Sequence, residues 1–266
     1  MVLVSVLSLL GGVAHAQVNV APLVEYGKQP GVGFDAQGRF GFAVGNVQLF
    51  DLGLDAAFHA SRPFAEDKQP ERPGSWFRDR LVVFGSYGRR TVGTGDDRSV
   101  IVDTKIGHLR YTRMFAPRIG MEAFAQAGND VILKLDLRAI GGIGFRFAAE
   151  SLLGRLWAGV GYLAEYEDRA EGVMNERVFN HRVNSYLSAE LEILDEKLDM
   201  LTTTYVQPSA EDWRDLQFLE EAKLRVRVTE SLAFGIEGRI RVDTRPPEGL
   251  RSTDLRLTNT IELHLK

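Results

Sequence analysis

Thr253-Asp254-Leu255-Arg256-Leu257-Thr258-Asn259-Thr260-Ile261-Glu262-Leu263-His264-Leu265-Lys266 ends the chain on a period of two. Leu255, Leu257, Ile261, Leu263 and Leu265 fall on one side, with Asn259 the exception; Asp254, Arg256, Thr258, Thr260, Glu262, His264 and Lys266 fall on the other. Side chains alternate across a β-strand, so this segment is a strand with one apolar and one polar surface. The segment before it repeats the pattern: Leu232, Phe234, Ile236, Ile240 and Val242 oppose Ser231, Glu237, Arg239, Arg241 and Asp243. A half-wet strand of a soluble protein alternates in the same way. Many such segments, behind an export signal and without cysteine, predict an all-β chain: a transmembrane antiparallel up-and-down β-barrel with its polar face inward.

The amino end supplies the signal. Residues 1–16 hold an apolar run, Val2 to Val13, then Ala14-His15-Ala16 before Gln17, a small-x-small cleavage site. The run is shorter than the roughly 20 residues that span a bilayer as a helix. No Lys or Arg precedes it, which leaves room for an upstream start. Residues 17–32 form a short periplasmic lead and 33–266 the barrel. Net charge is −4, against nucleic acid or a polybasic membrane contact. Cysteine is absent, which excludes disulfide staples and thiolate metal sites and suits an oxidising periplasm.

Alternation predicts about twelve strands, an even number as bacterial single-chain barrels require. The first carries Phe34, Ala36, Phe40, Phe42 and Val44 outward, and Gly45-Asn46 turns it into Phe50 to His59. Further strands cover about Trp76 to Tyr87, Ser99 to Arg113 (with a bulge expected near Ile106), Met121 to Ala127 and Leu133 to Phe147. Others follow near Leu156 to Tyr166, Val183 to Ile193, Leu198 to Val206 (weakly periodic) and Glu221 to Val228. Ser61 to Ser75, with Pro63, Pro70 and Pro73, is a long polar connection on the rim where short turns are expected. If a hairpin is centred on Glu230, Lys223 faces Glu237 and Glu221 faces Arg239 inside, while Val226 faces Phe234 and Leu224 faces Ile236 outside. Both faces then match, each charged pair contributing about 0.2–1 kcal/mol.

The inward positions are rich in both signs of charge. Lys134, Arg138, Arg146, Lys223, Arg225, Arg227, Arg239, Arg241 and Arg256 mix there with Asp51, Asp55, Asp136, Glu190, Glu192, Glu221, Glu237, Asp243, Asp254 and Glu262. Interleaved signs favour an ion-pair network filling the lumen over a channel whose arginines select anions. Glu190 and Glu192 are read as partners of inner arginines rather than a catalytic pair. The five histidines have no zinc spacing. His181 with Ser185, and His59 with Ser61, lack a recognisable nucleophile–base arrangement. Gly141-Gly142-Ile143-Gly144 sits inside an alternating strand with no helix after it, so it is no phosphate loop. No catalytic, cofactor or metal residue is assigned.

Three stretches carry a family resemblance: Thr229-Glu230-Ser231-Leu232, Arg241-Val242-Asp243-Thr244-Arg245-Pro246-Pro247-Glu248-Gly249, and Thr253-Asp254-Leu255-Arg256-Leu257-Thr258, with Gly45-Asn46 and Leu52-Gly53-Leu54-Asp55 earlier. Together they resemble the salt-induced outer-membrane protein family, a group of unknown function. The resemblance implies a Gram-negative outer-membrane barrel over about Gly33 to Lys266, inserted by the barrel assembly machinery among outer-membrane lipids. It brings no catalytic residues. Such barrels usually finish on an aromatic residue, whereas this chain finishes on Leu265-Lys266. The expected role is structural, an envelope-stress function or passive permeation of small solutes. The alternatives are a lipid-active barrel enzyme and a soluble exported β-barrel binding an apolar ligand.

Overall fold

The computed structural model describes residues 2–6, 31–43, 48–64, 77–94, 97–151, 154–170, 177–193, 197–229, 232–246 and 249–265. They form thirteen strands: β1 Val2–Val6, β2 Gly31–Ala43, β3 Gln48–Pro63, β4 Phe77–Thr94, β5 Asp97–Ala116, β6 Ile119–Asp130, β7 Leu135–Ser151, β8 Gly154–Arg169, β9 Arg177–Ile193, β10 Leu198–Pro208, β11 Leu216–Arg227, β12 Leu232–Asp243 and β13 Thr253–Leu265. From β2 to β13 each strand pairs antiparallel with the next, giving the sheet order β1-β13-β12 and so on down to β2. The chain is therefore an all-β up-and-down meander, with no helix among the described residues. The cleavage site at 14–17, the rest of the lead to 30, the Gly45-Asn46 turn and residues 65–75 of the long connection lie outside the described residues.

The meander curls. Adjacent strands lie about 4.8 Å apart, so partners four strands distant would be about 19 Å apart on a flat sheet. Yet Arg138 on β7 donates to Gln217 on β11 at 3.4 Å, and Tyr186 on β9 donates to Glu122 on β6, three strands away, at 3.0 Å. Leu133 and Leu135, beside the β6–β7 turn, pack with Leu250 of the β12–β13 connection. The wall is not closed: β2 and β13 do not pair with each other, and β13 carries β1 on its outer edge, Val2 opposite Leu265 and Val6 opposite Ile261. That short apolar strand belongs to the segment with export-signal character, and it supplies hydrogen-bond partners to an edge that would otherwise be bare.

Alternation sets the two faces as expected. Phe34, Phe40, Phe42, Leu54, Ile143, Phe145, Leu187, Phe234, Ile236, Leu255 and Leu257 are exposed outward. Inward, one cluster of buried side chains runs from β3 to β11 and includes Phe84, Met114, Phe124, Trp157, Leu163, Tyr186, Tyr205 and Leu219. The β11–β12 register pairs Lys223 with Glu237, Glu221 with Arg239, Val226 with Phe234 and Leu224 with Ile236, as the centring on Glu230 requires.

Four details differ from expectation. The irregularity in β5 lies at Ile101, skipped between the pairs Arg90–Val102 and Thr91–Val100, while Ile106 stays inward in phase with His108 and Arg110. The β7 strand begins only at Leu135; Leu133 and Lys134 occupy a turn, Lys134 at φ 55°, and a register shift at 135–137 reverses the phase. So Leu133 and Leu135 are buried rather than outward. The long connection is shorter than expected because β3 continues through Pro63, tolerated at the strand's end. Strand β10 reads as weakly periodic because both of its faces are mixed: Leu201 and Tyr205 pack inside beside Thr203 and Gln207, while Thr202 and Thr204 face out beside Val206 and donate to Glu220 on β11.

The register is testable against a cysteine-free background. Cysteines replacing Val226 and Phe234, directly opposite each other, are expected to oxidise to an intramolecular disulfide seen as a gel shift. Cysteines replacing Leu224 and Phe234 stand a diagonal step apart and should stay reduced.

Candidate functional site: the charged interior

The inner face is built from hairpin neighbours whose charges sit diagonally. Glu165 on β8 is fully buried; Arg138 Nε on β7 donates to one carboxylate oxygen and Arg182 Nε on β9 to the other, each at 2.7 Å. Arg138 also lies 3.6 Å from Glu167, which accepts from Arg169 at 2.8 Å. Arg182 Nη1 reaches Asp215 at 2.9 Å and the Gln207 carbonyl at 3.2 Å, and Gln207 donates to Asn184 at 2.6 Å. This network ties β7, β8, β9 and the β10–β11 connection together. A buried pair of this kind repays its desolvation only where geometry is good and the remaining donors are satisfied.

A second network lies further along the same face. Glu122 on β6 accepts from Arg110 at 3.2 Å and from the Tyr186 hydroxyl at 3.0 Å, and stands 3.5 Å from Arg146, which donates to Tyr186 at 3.0 Å. Arg110 stacks over Phe124 and Arg146 over Trp157. Gly159 leaves room for this: a Cβ there would meet the Tyr186 ring, and one at Gly142 would meet Phe124. The Gly-rich run in β7 thus serves packing. Elsewhere Arg90 pairs with Asp51 at 2.6 Å and His108 with Gln126 at 3.1 Å.

Of the inward residues expected from sequence, Arg138 and Arg146 enter the two networks and Glu190 meets Arg155 at 3.2 Å. Glu221 stands 3.4 Å from Arg239, Lys223 is 3.4 Å from Glu237, and Arg225 donates to Asp199 at 2.9 Å. Arg241 reaches Asp243 at 3.4 Å and Asp254 at 4.0 Å. Arg227 lies opposite Ala233, and Arg256 directly opposite Arg239. The Glu192 backbone pairs with Asp199; its side chain lies outside the described residues. Lys134 departs from expectation, standing in the β6–β7 turn rather than along a strand. Glu165, Arg182, Arg110 and Glu122, the centre of both networks, were not singled out from sequence. Their signal was diagonal: each partner sits two residues off the directly opposite position, which lies within reach of long side chains.

His181 and Ser185 both face outward but stand about 13 Å apart along β9. His181 bonds the Tyr162 hydroxyl and Ser185 donates to the Val206 carbonyl at 2.8 Å, so the two side chains do not meet. Among the described residues no group of three His, Asp or Glu side chains is placed to hold a metal ion. At the loop rim, the Arg214 amide donates to Asp212 at 3.0 Å and the Arg245 guanidinium pairs with it, holding its carboxyl below the usual range. That contact favours the fold above the ordinary carboxylate pKa and is lost as pH falls through the lowered value.

The chain belongs to the family described as "Protein of unknown function, DUF481", which matches residues 82–263. No curated protein matches it in sequence. Among solved structures it is similar to the NanC porin, at 11% identity and a TM-score of 0.44 over 80% of this chain and 94% of that one. It is also similar to the translocator domain of the autotransporter NalP from Neisseria meningitidis, at 9% identity and a TM-score of 0.40 over 92% of each chain.

Replacing Glu165 tests the first network. Glu165→Ala leaves two buried guanidiniums without their shared carboxylate and is expected to cost about 3–5 kcal/mol in equilibrium unfolding. Glu237→Ala, at a half-exposed pair, should cost no more than about 1 kcal/mol.

Proposed function

We propose that the chain is an outer-membrane β-barrel, exported behind its amino-terminal signal, with a filled and charge-paired interior. The supporting observation is the height of the outward apolar band. On β4, Leu81, Val83, Gly85 and Tyr87 face out between Asp79 and Arg89. Asp79 accepts from Tyr111 at 2.7 Å and lies 3.7 Å from Arg113; at the other end Asp103 and Lys105 sit 3.7 Å apart. From Asp79 to Arg89 is about 33 Å of strand at roughly 3.3 Å per residue. At the roughly 40° tilt of membrane barrels it rises about 25 Å, the height of their apolar band. Aromatic side chains mark both margins: Phe40 against Phe42 and Phe50 and Phe179 against His181 near one, Phe115 and Phe147 near the other.

The role we assign is that of a rigid wall element of the envelope. Packing supports it over open permeation. Glu165, Leu163, Tyr205, Gln207 and Leu219 are inaccessible to solvent, so aromatic rings and ion pairs occupy the space a pore would need. A soluble barrel carrying an apolar ligand would keep a polar outer surface, whereas here Phe34, Phe42, Ile143, Phe145, Leu255 and Leu257 are exposed outward.

Fractionation of Gram-negative cells expressing the chain is expected to recover it in the outer membrane, with heat-modifiable gel migration; recovery in the soluble periplasm would overturn the proposal. Ile143→Arg in the outward band should destabilise the folded, lipid-embedded protein by about 2–4 kcal/mol. Planar bilayers containing the protein should show no ion-conducting steps, and regular steps would replace the wall role with a channel.

A further inference from the structure

The long meander has two ends, β2 and β13, of thirteen residues each. Every step between them is antiparallel, so across the even set of strands from β2 to β13 the two run in opposite directions. Their outward side chains are the barest of the wall. Val32, Phe34, Phe40, Phe42, Leu255 and Leu257 are 63% to 75% exposed, whereas large apolar side chains described on the strands between reach no more than the 59% of Phe115. An outward side chain on an inner strand has cross-strand neighbours on both flanks; on these two strands one flank is open. Aligned end to end within one residue, outward face to outward face, the strands place Phe40 opposite Leu255 or Leu257.

Strand β1 stands in the way. It takes the β13 edge from Ile261 to Leu265, with Val6 opposite the first and Val2 opposite the last, and leaves the stretch with Leu255 and Leu257 uncovered. Those five positions are the ones that the first residues of β2 would meet. The wall cannot close over β1 in the ordinary way either. Being antiparallel to β13, β1 runs parallel to β2, whereas a bacterial barrel closes an even number of strands on antiparallel neighbours. Inside a bilayer an open edge leaves backbone N–H and C=O groups without water to bond, so the strand that fills it must complete the ring.

We infer that β1 is an edge cap that holds the wall open: while residues 1–16 remain attached it competes with β2 for the β13 edge, and its departure lets β2 pair with β13. The inference rests on the outer-membrane proposal only for the event that removes β1, cleavage of the export signal. The competition itself belongs to the chain.

Purified full-length protein refolded in detergent tests it through disulfides read as gel shifts. Cysteines replacing Val4 and Leu263, directly opposite each other, report the capped edge. Cysteines replacing Phe40 and Leu257, or Phe40 and Leu255, report the seam. With β1 unaltered, the Val4–Leu263 pair is expected to cross-link and both Phe40 pairs to stay reduced. Val4→Pro with Ser5→Pro strips β1 from its ladder, because neighbouring residues alternate in which one bonds across and proline has no N–H to give. In that variant one of the Phe40 pairs is expected to cross-link in most chains. The chain cut after Ala16 should do the same, and keeps the test decisive if the proline variant does not fold. A reduced Val4–Leu263 pair, equal seam cross-linking with β1 unaltered, or none once β1 is stripped or removed would overturn the inference. Recovery of the protein in the soluble periplasm would instead overturn the outer-membrane proposal and leave these cross-links as they stand.

Discussion

The inward charges of Arg138, Glu165, Arg182, Arg110, Glu122 and Arg146 find their partners inside a wall whose outer face is largely apolar. Many large aliphatic and aromatic side chains turn outward, and the enclosed space holds Arg, Glu, Tyr and Gln packed among Phe84, Phe124, Trp157, Leu163 and Leu219. Charges taken from water are costly unless paired and hydrogen-bonded. The Arg138–Glu165–Arg182 arrangement meets that demand and dictates much else. It requires β7, β8 and β9 in their observed register, because a slip of β8 by one residue would turn the carboxylate outward and leave Arg138 and Arg182 inside without it.

The same constraint explains the glycines and aromatics of the inner face. Guanidiniums lie over Phe124 and Trp157, and Gly142 and Gly159 leave the room that Phe124 and Tyr186 occupy. Tyr186 then serves two neighbours at once, accepting from Arg146 and donating to Glu122. Packing and electrostatics are thus one problem here, solved by side chains that are half ring and half donor. The outer face shows the converse case. Glu220 is a carboxylate on the apolar side, and Thr202 and Thr204 turn outward from β10 to meet it.

Much of this was legible from periodicity. Alternation located the twelve strands from β2 to β13, and opposite charges facing across Glu230 set the β11–β12 register. Three things were not legible. The deepest ion pairs are diagonal or join strands distant in sequence, so Glu165, Glu122 and Arg182 look like ordinary inward polar residues until the sheet curls. Strand β10 conceals its phase because its threonines answer a residue on β11 rather than water. The slipped alternation of β5 announced a bulge but near Ile106 rather than at Ile101, and the turn at Lys134 displaces the phase of β7 by one residue without a sign in its apolar pattern.

Orientation of the two faces is the claim on which everything rests, and nitroxide accessibility measures it directly. Single cysteines can be placed in this cysteine-free chain at Ile143 and Phe145 on one face and at Ser188 and Gln207 on the other. In liposomes, labels at Ile143 and Phe145 should relax with membrane-dissolved oxygen and be shielded from an aqueous nickel chelate, while labels at Ser188 and Gln207 should not respond to oxygen as lipid-facing sites do. Nickel access at Phe145 together with oxygen-rich, lipid-like behaviour at Ser188 would show the wall turned the other way and contradict the account.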